Sequence, residues 1–237
     1  MSDYSQHTGV EACSSSVRRN PGKGGSLAVT AEGVARDNGG RPALGDGFDV
    51  VLVAASAGGL AALSRVLGDL GNNFPVPVVI VQHLDPRHRS LMADILAHRT
   101  PLRVVQAAEG IKLEPGTAYV APPDEHLLIA SNGTLTLSHS ELVHFVRPSA
   151  DLLFESGAGA YPGRAIGVVL TGTGSDANMG VRAIAQTGGT VLVQNPATAE
   201  FGGMPQAAID TGAVDFVLDL EEIGRALISL VDGGPSS

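Results

Sequence analysis

The sequence predicts an α/β protein with a doubly wound, mostly parallel sheet, helices on both faces and a small antiparallel hairpin. Three observations support this prediction. Short runs of β-branched and apolar residues alternate with segments at helical spacing, which is typical of parallel strands joined by right-handed crossovers. These runs are apolar throughout, as strands buried on both faces are. The pair Asn132-Gly133 between two apolar runs predicts a tight hairpin turn.

The length and composition suggest one folded domain with flexible ends. The chain has 237 residues and a formal net charge of −9. Residues 1–47 are rich in Gly, Ser and Asn and have no periodic apolar face, so we expect a disordered leader. Residues 48–232 form the predicted folded domain, and residues 233–237 a flexible tail.

The same totals argue against several classes of protein. An acidic chain lacks the basic face that nucleic-acid binding requires. No apolar run is long enough to span a membrane, and the N-terminus lacks the apolar core of a signal peptide. A single cysteine, Cys13, allows no intramolecular disulfide and fits a reducing compartment. We therefore expect a cytoplasmic protein with no nucleic-acid partner and no membrane insertion.

The elements follow from periodicity and from turn residues. Ser90 is a plausible N-cap, Pro148 suits a first helical position, and Gly188-Gly189 suits a helix end. The predicted strands are 48–54, 77–82, 102–107, 118–121, 127–130, 134–138, 165–170, 190–194 and 214–218. The predicted helices are 58–70, 90–99, 148–159, 178–187, 205–211 and 220–231.

Ser56 occupies a position where open α/β sheets place chemistry. It follows the first buried strand and precedes a helix, with Gly58 and Gly59 allowing a sharp turn. The helix directs its positive end toward the same spot, which suits a developing oxyanion. The stretch by itself also fits a phosphate-binding turn or a plain structural turn. Ala54 departs from the Gly-x-Ser-x-Gly elbow of other serine hydrolases.

Three buried strands end near chemically matched groups, Ser56, His83 and Asp176. Because the carboxyl ends of parallel strands share one edge of a sheet, these side chains can meet there. Serine needs a base, histidine can supply it, and aspartate orients the imidazole. If each residue is considered alone, His83 could also be a structural histidine of the core, and Asp176 could cap the helix that follows it. None of the other candidate histidines ends a predicted buried strand; these are His88, His98, His126, His139 and His144.

A metal site is the weaker alternative. His83, Asp85 and His88 are close in sequence, but the chain has no His-Glu-x-x-His and no cysteine pair. We predict neither a metal nor a cofactor.

Four motifs, in order, resemble the catalytic domain of the chemotaxis protein-glutamate methylesterases, CheB. They are Ala55 to Gly59, Val81 to Leu84, Leu170 to Asp176 and Gly202 to Gln206. Residues 114–122 and 147–154 give smaller matches, and the similarity covers about residues 48–231.

The resemblance implies hydrolysis of glutamyl methyl esters on cytoplasmic helices of chemoreceptors, or on a similar methylated protein, and deamidation of glutamines. It implies that Ser56 is the nucleophile, His83 the general base and Asp176 the orienting acid. The turn at Thr173 falls where the family places a backbone oxyanion donor, and the Ala57 N–H is a second candidate on geometric grounds. No cofactor is implied.

The sequence also departs from the family pattern. The usual family member carries an N-terminal receiver domain, for which residues 1–47 are far too short, so we expect a stand-alone esterase domain. Ala57 stands where threonine is common and Thr173 where methionine is, while Val146 interrupts a His-Arg-Pro-Ser run. Residues 194–201 more closely resemble the esterase domain of methylesterase–methyltransferase fusion proteins. A non-catalytic receptor- or anion-binding module on the same fold is the alternative function.

Overall fold

The structure, a computed structural model, describes residues 29–30, 33–34, 47–83 and 90–233. The predicted leader and tail lie almost entirely outside these residues, so the domain boundaries stay predictions. Within the leader only a short antiparallel pair is described, β1 (Val29–Thr30) with β2 (Gly33–Val34).

The described chain from residue 47 onward alternates strands and helices. The strands are β3 (Val50–Ala55), β4 (Val78–Gln82), β5 (Arg103–Gln106), β6 (Thr117–Val120), β7 (His126–Ile129), β8 (Leu135–Ser138), β9 (Ala165–Val169), β10 (Thr190–Gln194) and β11 (Phe216–Leu218). The helices are α1 (Gly59–Asp69), α2 (Met92–Ala97), α3 (Ala150–Ala160), α4 (Asn178–Gln186), α5 (Gly203–Asp210) and α6 (Leu220–Val231).

Seven strands form the main sheet, in the order β11-β10-β9-β3-β4-β6-β5, and every pairing in it is parallel. The strands β7 and β8 pair antiparallel in a sheet of their own, with the Asn132-Gly133 turn between them and Gly133 at a φ of +78°. The predicted doubly wound architecture and the hairpin are therefore confirmed.

Side chains of β3 alternate between two cores because successive residues of a strand face opposite sides. Val51 and Val53 pack with residues of α1, α2 and α6. Leu52 and Ala54 pack on the other face with α3, α4, α5 and the hairpin. Phe154 of α3 is completely buried there, and a side chain of that size contributes roughly 1.5–3 kcal/mol on burial. The two cores thus hold the sheet from both sides.

The strand order reverses at β3, which lies between β4 and β9. From β3 the chain first builds one half of the sheet and later returns to build the other half from β9 outward. In open α/β sheets a crevice forms at the carboxyl ends of the strands at this switch point. The segments that follow β3, β4 and β9 therefore meet in that crevice.

The start of α3 differs from the prediction for a long-range reason. The sequence placed a helix start at Pro148, whereas α3 begins at Ala150 after an extended Ser149. The first amides of α3 donate to the carboxylate of Asp176 rather than to a side chain of the preceding residues. A long-range partner therefore decides where this helix begins, and no local sequence rule could show it.

Within the residues that the structure describes, no helix has both the length and the apolar character needed to cross a bilayer.

Two glycines in the packed pair α3 and α4 provide a matched test of the core. A Cβ at Gly180 would lie 2.4 Å from Phe154 Cβ, whereas a Cβ at Gly159 would meet nothing within 4 Å. We expect Gly180→Ala to lower the free energy of unfolding by about 1–3 kcal/mol through overpacking. Gly159→Ala should be neutral or raise it by up to about 1 kcal/mol, since alanine favours helix. Urea denaturation measures both, and equal effects would contradict this account.

Candidate active site

Ser56 lies on the turn that joins β3 to α1. Its backbone N–H donates to the Thr171 carbonyl at 3.0 Å, and its carbonyl accepts from Gly59 N–H at 2.9 Å. Gly58 has a φ of +76°, a conformation that only glycine adopts without strain. The segment after β9 therefore holds the serine turn from one side.

His83 immediately follows β4, next to Ser56 in the sheet. Its N–H donates to the Ala55 carbonyl at 3.1 Å, which extends the β3–β4 ladder by one residue. Its ring Nε2 lies 2.8 Å from Asp176 Oδ2. A carboxylate partner holds the ring proton on Nε2, which leaves the lone pair on Nδ1 available as a base.

Asp176 accepts hydrogen bonds on both carboxylate oxygens. Its donors besides His83 are Ser149 Oγ at 2.8 Å and the backbone amides of Ala150 at 2.6 Å and Asp151 at 3.2 Å. Burial alone would raise the pKa of Asp176, but the hydrogen bonds from His83, Ala150 and Ser149 outweigh it, so that the pKa lies below its ordinary value. The carboxylate is therefore charged at neutral pH.

The carboxylate of Asp176 caps a helix, although not the helix that follows it in sequence. Its backbone donors belong to the first turn of α3, whereas α4 begins two residues after Asp176. The cap and the bond to His83 use the same side chain, so the two interpretations of Asp176 offered by the sequence are compatible.

Gln82 is a site residue that the sequence analysis did not single out. Its side chain is buried, and Nε2 donates to the carbonyls of Ser56 at 2.7 Å and His83 at 3.0 Å. Its Oε1 would lie 1.9 Å from a Cβ at Gly59, so that glycine leaves the space for it. The motif around His83 contained Gln82, but only the folded chain reveals the two carbonyls that it joins.

No hydrogen bond joins the Ser56 hydroxyl to the His83 ring in this structure. Ser56 and His83 nonetheless lie opposite each other at the ends of two paired strands, each directly after the last register pair, Ala55 with Gln82. Catalytic hydrogen bonds are often long without substrate and tighten once it binds. The three predicted residues are thus gathered at one edge, with His83 and Asp176 directly bonded.

His126 is a buried histidine with a structural role. It is completely buried; its Nδ1 accepts from the Ser149 N–H at 3.1 Å, and its Nε2 lies 3.0 Å from the Glu141 carbonyl. One ring nitrogen accepts and the other donates, which is the pattern of a neutral imidazole. His126 therefore supports the segment that carries Ser149, and Ser149 in turn bonds Asp176.

Asp151 is a second buried carboxylate beside Asp176. Its Oδ1 accepts from the Gly180 N–H at 2.8 Å, and its Oδ2 lies 3.3 Å from His144 Nε2. Desolvation raises the pKa of Asp151, the bond from Gly180 opposes this, and the charge of Asp176 adds to the rise. The two neighbouring aspartates are therefore shifted in opposite directions.

Among the described residues, the backbone N–H groups of Ala57 and Thr173 near Ser56 donate to no acceptor, and neither do those of the adjacent Gly58 and Gly174. The turn around them is braced by Thr171, whose N–H donates to Gln194 Oε1 at 2.8 Å and whose hydroxyl donates to the Ala57 carbonyl at 3.1 Å. Such unpaired amides on braced turns suit the oxygen of a tetrahedral intermediate. Their role as oxyanion donors stays a prediction.

Among the described residues, no three His, Cys, Asp or Glu side chains group as a metal site. Asp85 and His88, named above in the metal alternative, lie outside those residues. The described side chains at this edge are the Ser56 hydroxyl, the His83 imidazole and the charged Asp176 carboxylate. These three groups, placed one after another in space, suit acyl transfer.

Comparison with known proteins identifies the family. Residues 51–227 match the CheB methylesterase family. The chain belongs to this family. A Leptospira interrogans protein provisionally named as a protein-glutamate methylesterase and protein-glutamine glutaminase is 40% identical over 183 residues, which are 77% of this chain and 95% of that protein. A Moorella thermoacetica protein-glutamate methylesterase/protein-glutamine glutaminase is 40% identical over 90% of this chain and 51% of its own length.

The CheB fold is shared as well. The crystal structure of the Thermotoga maritima CheB methylesterase catalytic domain matches with a TM-score of 0.75 and 35% identity, over 78% of this chain and all of that one. The chain spans about half of the Moorella protein but nearly all of the Leptospira protein. The resemblance found in the sequence is therefore confirmed for the family, the fold and the enzyme class.

The opposite pKa shifts of the two buried aspartates predict opposite pH responses. The pKa of Asp176 is lowered by folding, so its contribution to stability is present above the unfolded value of about 3.9 and is lost as pH falls through the folded value. The pKa of Asp151 is raised, so its carboxylate costs stability as pH rises above about 4.

We therefore expect the stability gap between wild type and Asp176→Asn to shrink as pH falls from about 5 to 3. The free energy of unfolding of the wild type relative to Asp151→Asn should instead fall as pH rises above about 4. Urea unfolding across this range measures both gaps, and parallel trends in the two variants would refute the assignment.

Gln82 provides a further test of the site. Gln82→Met keeps the volume but leaves the carbonyls of Ser56 and His83 without their shared donor. We expect the rate of fluorophosphonate labelling to fall roughly 10–100-fold, since small displacements of reacting groups have effects of this order. Gln186→Met, an exposed glutamine at the end of α4, is the matched control and should label at the wild-type rate. Equal labelling of both variants would show that Gln82 does not position the site.

Proposed function

We propose that this chain is a serine hydrolase that removes methyl esters from glutamate side chains of chemoreceptor-type proteins and also deamidates glutamines. The observation that carries the proposal is the 2.8 Å hydrogen bond between His83 and the charged Asp176, with His83 opposite Ser56 at the ends of β4 and β3. The names of the similar proteins support the two substrates, methylated glutamate and glutamine.

In the first half-reaction, Ser56 Oγ attacks the ester carbonyl and its proton passes to His83 Nδ1. Asp176 stabilises the resulting imidazolium through the proton on Nε2. The N–H groups of Ala57 and Thr173 are placed as donors to the oxyanion. As the C–O bond breaks, His83 returns the proton to the leaving group, which departs as methanol.

The second half-reaction reverses these roles. A water molecule gives a proton to His83 and attacks the acyl-serine. The tetrahedral intermediate then collapses, His83 reprotonates Ser56, and a glutamate carboxylate is released. With glutamine as substrate, ammonia leaves instead of methanol and the acyl-enzyme is the same. No metal or cofactor enters any step.

The proposed partner is the methylated cytoplasmic part of a chemoreceptor, or a protein methylated in the same way. This places the enzyme in the cytoplasm, an assignment that the single cysteine also supports. Neither nucleic acid nor direct membrane insertion is part of the proposal.

Ser56→Ala is the direct test. We expect methanol release from a methylated chemoreceptor fragment to fall at least about 10³-fold, with unfolding unchanged, because the nucleophile is lost from a turn. Ser64→Ala is the matched control, since Ser64 Oγ only donates to the Leu60 carbonyl within α1. Methanol release by Ser56→Ala at the wild-type rate would refute the proposed mechanism.

Labelling by a fluorophosphonate separates the remaining outcomes. Labelling of wild-type Ser56 without methanol release would mean an active triad that acts on another ester. Neither labelling nor release would instead support the non-catalytic binding module.

A further inference from the structure

A tight turn close to the candidate active site has an unusual sequence. Val143 and Val146 exchange backbone hydrogen bonds at 3.2 and 2.9 Å, so His144 and Phe145 form a two-residue turn between them. Both have positive φ values, +50° and +65°. Turns of this kind normally take Asn-Gly, and a bulky aromatic in this conformation is strained.

Phe145 is also 94% exposed, so its ring buries no apolar surface in return for the strain. The segment is nonetheless held in place. The Arg147 guanidinium donates to Asp124 Oδ1 at 2.7 and 3.0 Å and to the Ser140 carbonyl at 2.8 Å. A strained, exposed aromatic on a braced turn stabilises nothing in the fold itself, which indicates a contact outside the chain.

The turn is joined to the candidate active site by a short series of contacts. His144 Nε2 lies 3.3 Å from Asp151 Oδ2, and the Asp151 N–H donates to Asp176 Oδ1 at 3.2 Å. Asp176 is bonded to His83. Three successive contacts thus connect His144, the neighbour of Phe145 in the turn, to His83, the candidate general base.

Other exposed apolar side chains lie on segments that carry or contact the site. Met179, 55% exposed, is in the first turn of α4, three residues after Asp176. Phe201, 39% exposed, has its N–H bonded to the Thr171 hydroxyl at 2.9 Å. We call Phe145, Met179 and Phe201 the apolar rim. Exposed aromatic and methionine side chains around a catalytic site are the composition of a protein-binding surface.

We propose that Phe145 is a specificity-determining residue that binds an apolar side chain of the protein substrate beside the methylated glutamate. This inference rests on the proposed function. On a substrate helix, a residue three or four positions from the methylated glutamate lies on the same face and would contact the rim while the ester enters the site. A methyl ester is uncharged, so the reacting side chain itself brings no charge to the site.

The test uses Phe145→Asn, because asparagine tolerates positive φ better than phenylalanine but removes the apolar ring. We expect the KM for a methylated chemoreceptor fragment to rise about tenfold with kcat little changed, the order of effect of removing an aromatic anchor. Hydrolysis of p-nitrophenyl acetate and fluorophosphonate labelling should stay at wild-type levels, and Tm should be unchanged or higher. Phe145→Leu, which keeps an apolar group, should retain most of the affinity.

A wild-type KM for the protein substrate in Phe145→Asn would overturn the proposal. A parallel loss of p-nitrophenyl acetate hydrolysis would overturn it too, because the turn would then be supporting the site rather than binding substrate. If the wild-type protein hydrolyses p-nitrophenyl acetate but releases no methanol from the methylated fragment, the proposed function fails first and this inference with it. That failure is visible in the wild type alone, so failure of the proposed function can be distinguished from failure of the inference about Phe145.

Discussion

The carboxylate of Asp176 is the junction on which the arrangement of the site depends. It accepts from the His83 ring, from the Ser149 hydroxyl and from the first amides of α3, and it is almost fully buried. A buried charge is costly unless every lone pair finds a donor, and here the donors come from two distant parts of the chain. The same bonds that keep Asp176 charged therefore dock α3 against the carboxyl edge of the sheet and orient His83.

The buried polar residues around this junction have separate tasks. His126 accepts on one nitrogen and donates on the other, which stabilises the segment before α3. Gln82 joins the carbonyls of Ser56 and His83, and Gln194 holds the Thr171 amide on the other side of the serine turn. The two glutamine amides satisfy backbone groups just past strand ends, where the sheet ladder no longer supplies partners, and the His126 imidazole does the same for the loop before α3. Side chains of the fold itself therefore supply the hydrogen-bond partners of these backbone groups around the candidate site.

Departures from the family pattern affect the surroundings of the predicted triad more than its three residues. Ala57 and Thr173 replace other common residues, but the groups proposed there as oxyanion donors are backbone amides, which any residue except proline provides. Phe145 and Val146 separate His144 from Arg147, and His144 lies in a strained turn with its Nε2 3.3 Å from Asp151 Oδ2. We therefore propose that variation at these positions alters which protein segment is accepted and leaves the proposed acyl-transfer chemistry unchanged.

Much of the fold was predictable because its signals are local. Apolar runs such as Val50 to Ala55, the Asn132-Gly133 pair and the residue types at three strand ends follow from short stretches of sequence and the rules of parallel sheets. The long-range partners were not predictable. The start of α3 depends on Asp176, the neutral role of His126 depends on Ser149 and Glu141, and the importance of Gln82 depends on two carbonyls on neighbouring strands. Local sequence determines which residues form strands, turns and chemically matched ends, whereas only the tertiary structure decides which buried polar groups become partners, because a hydrogen bond depends on distance in space and not on separation along the chain.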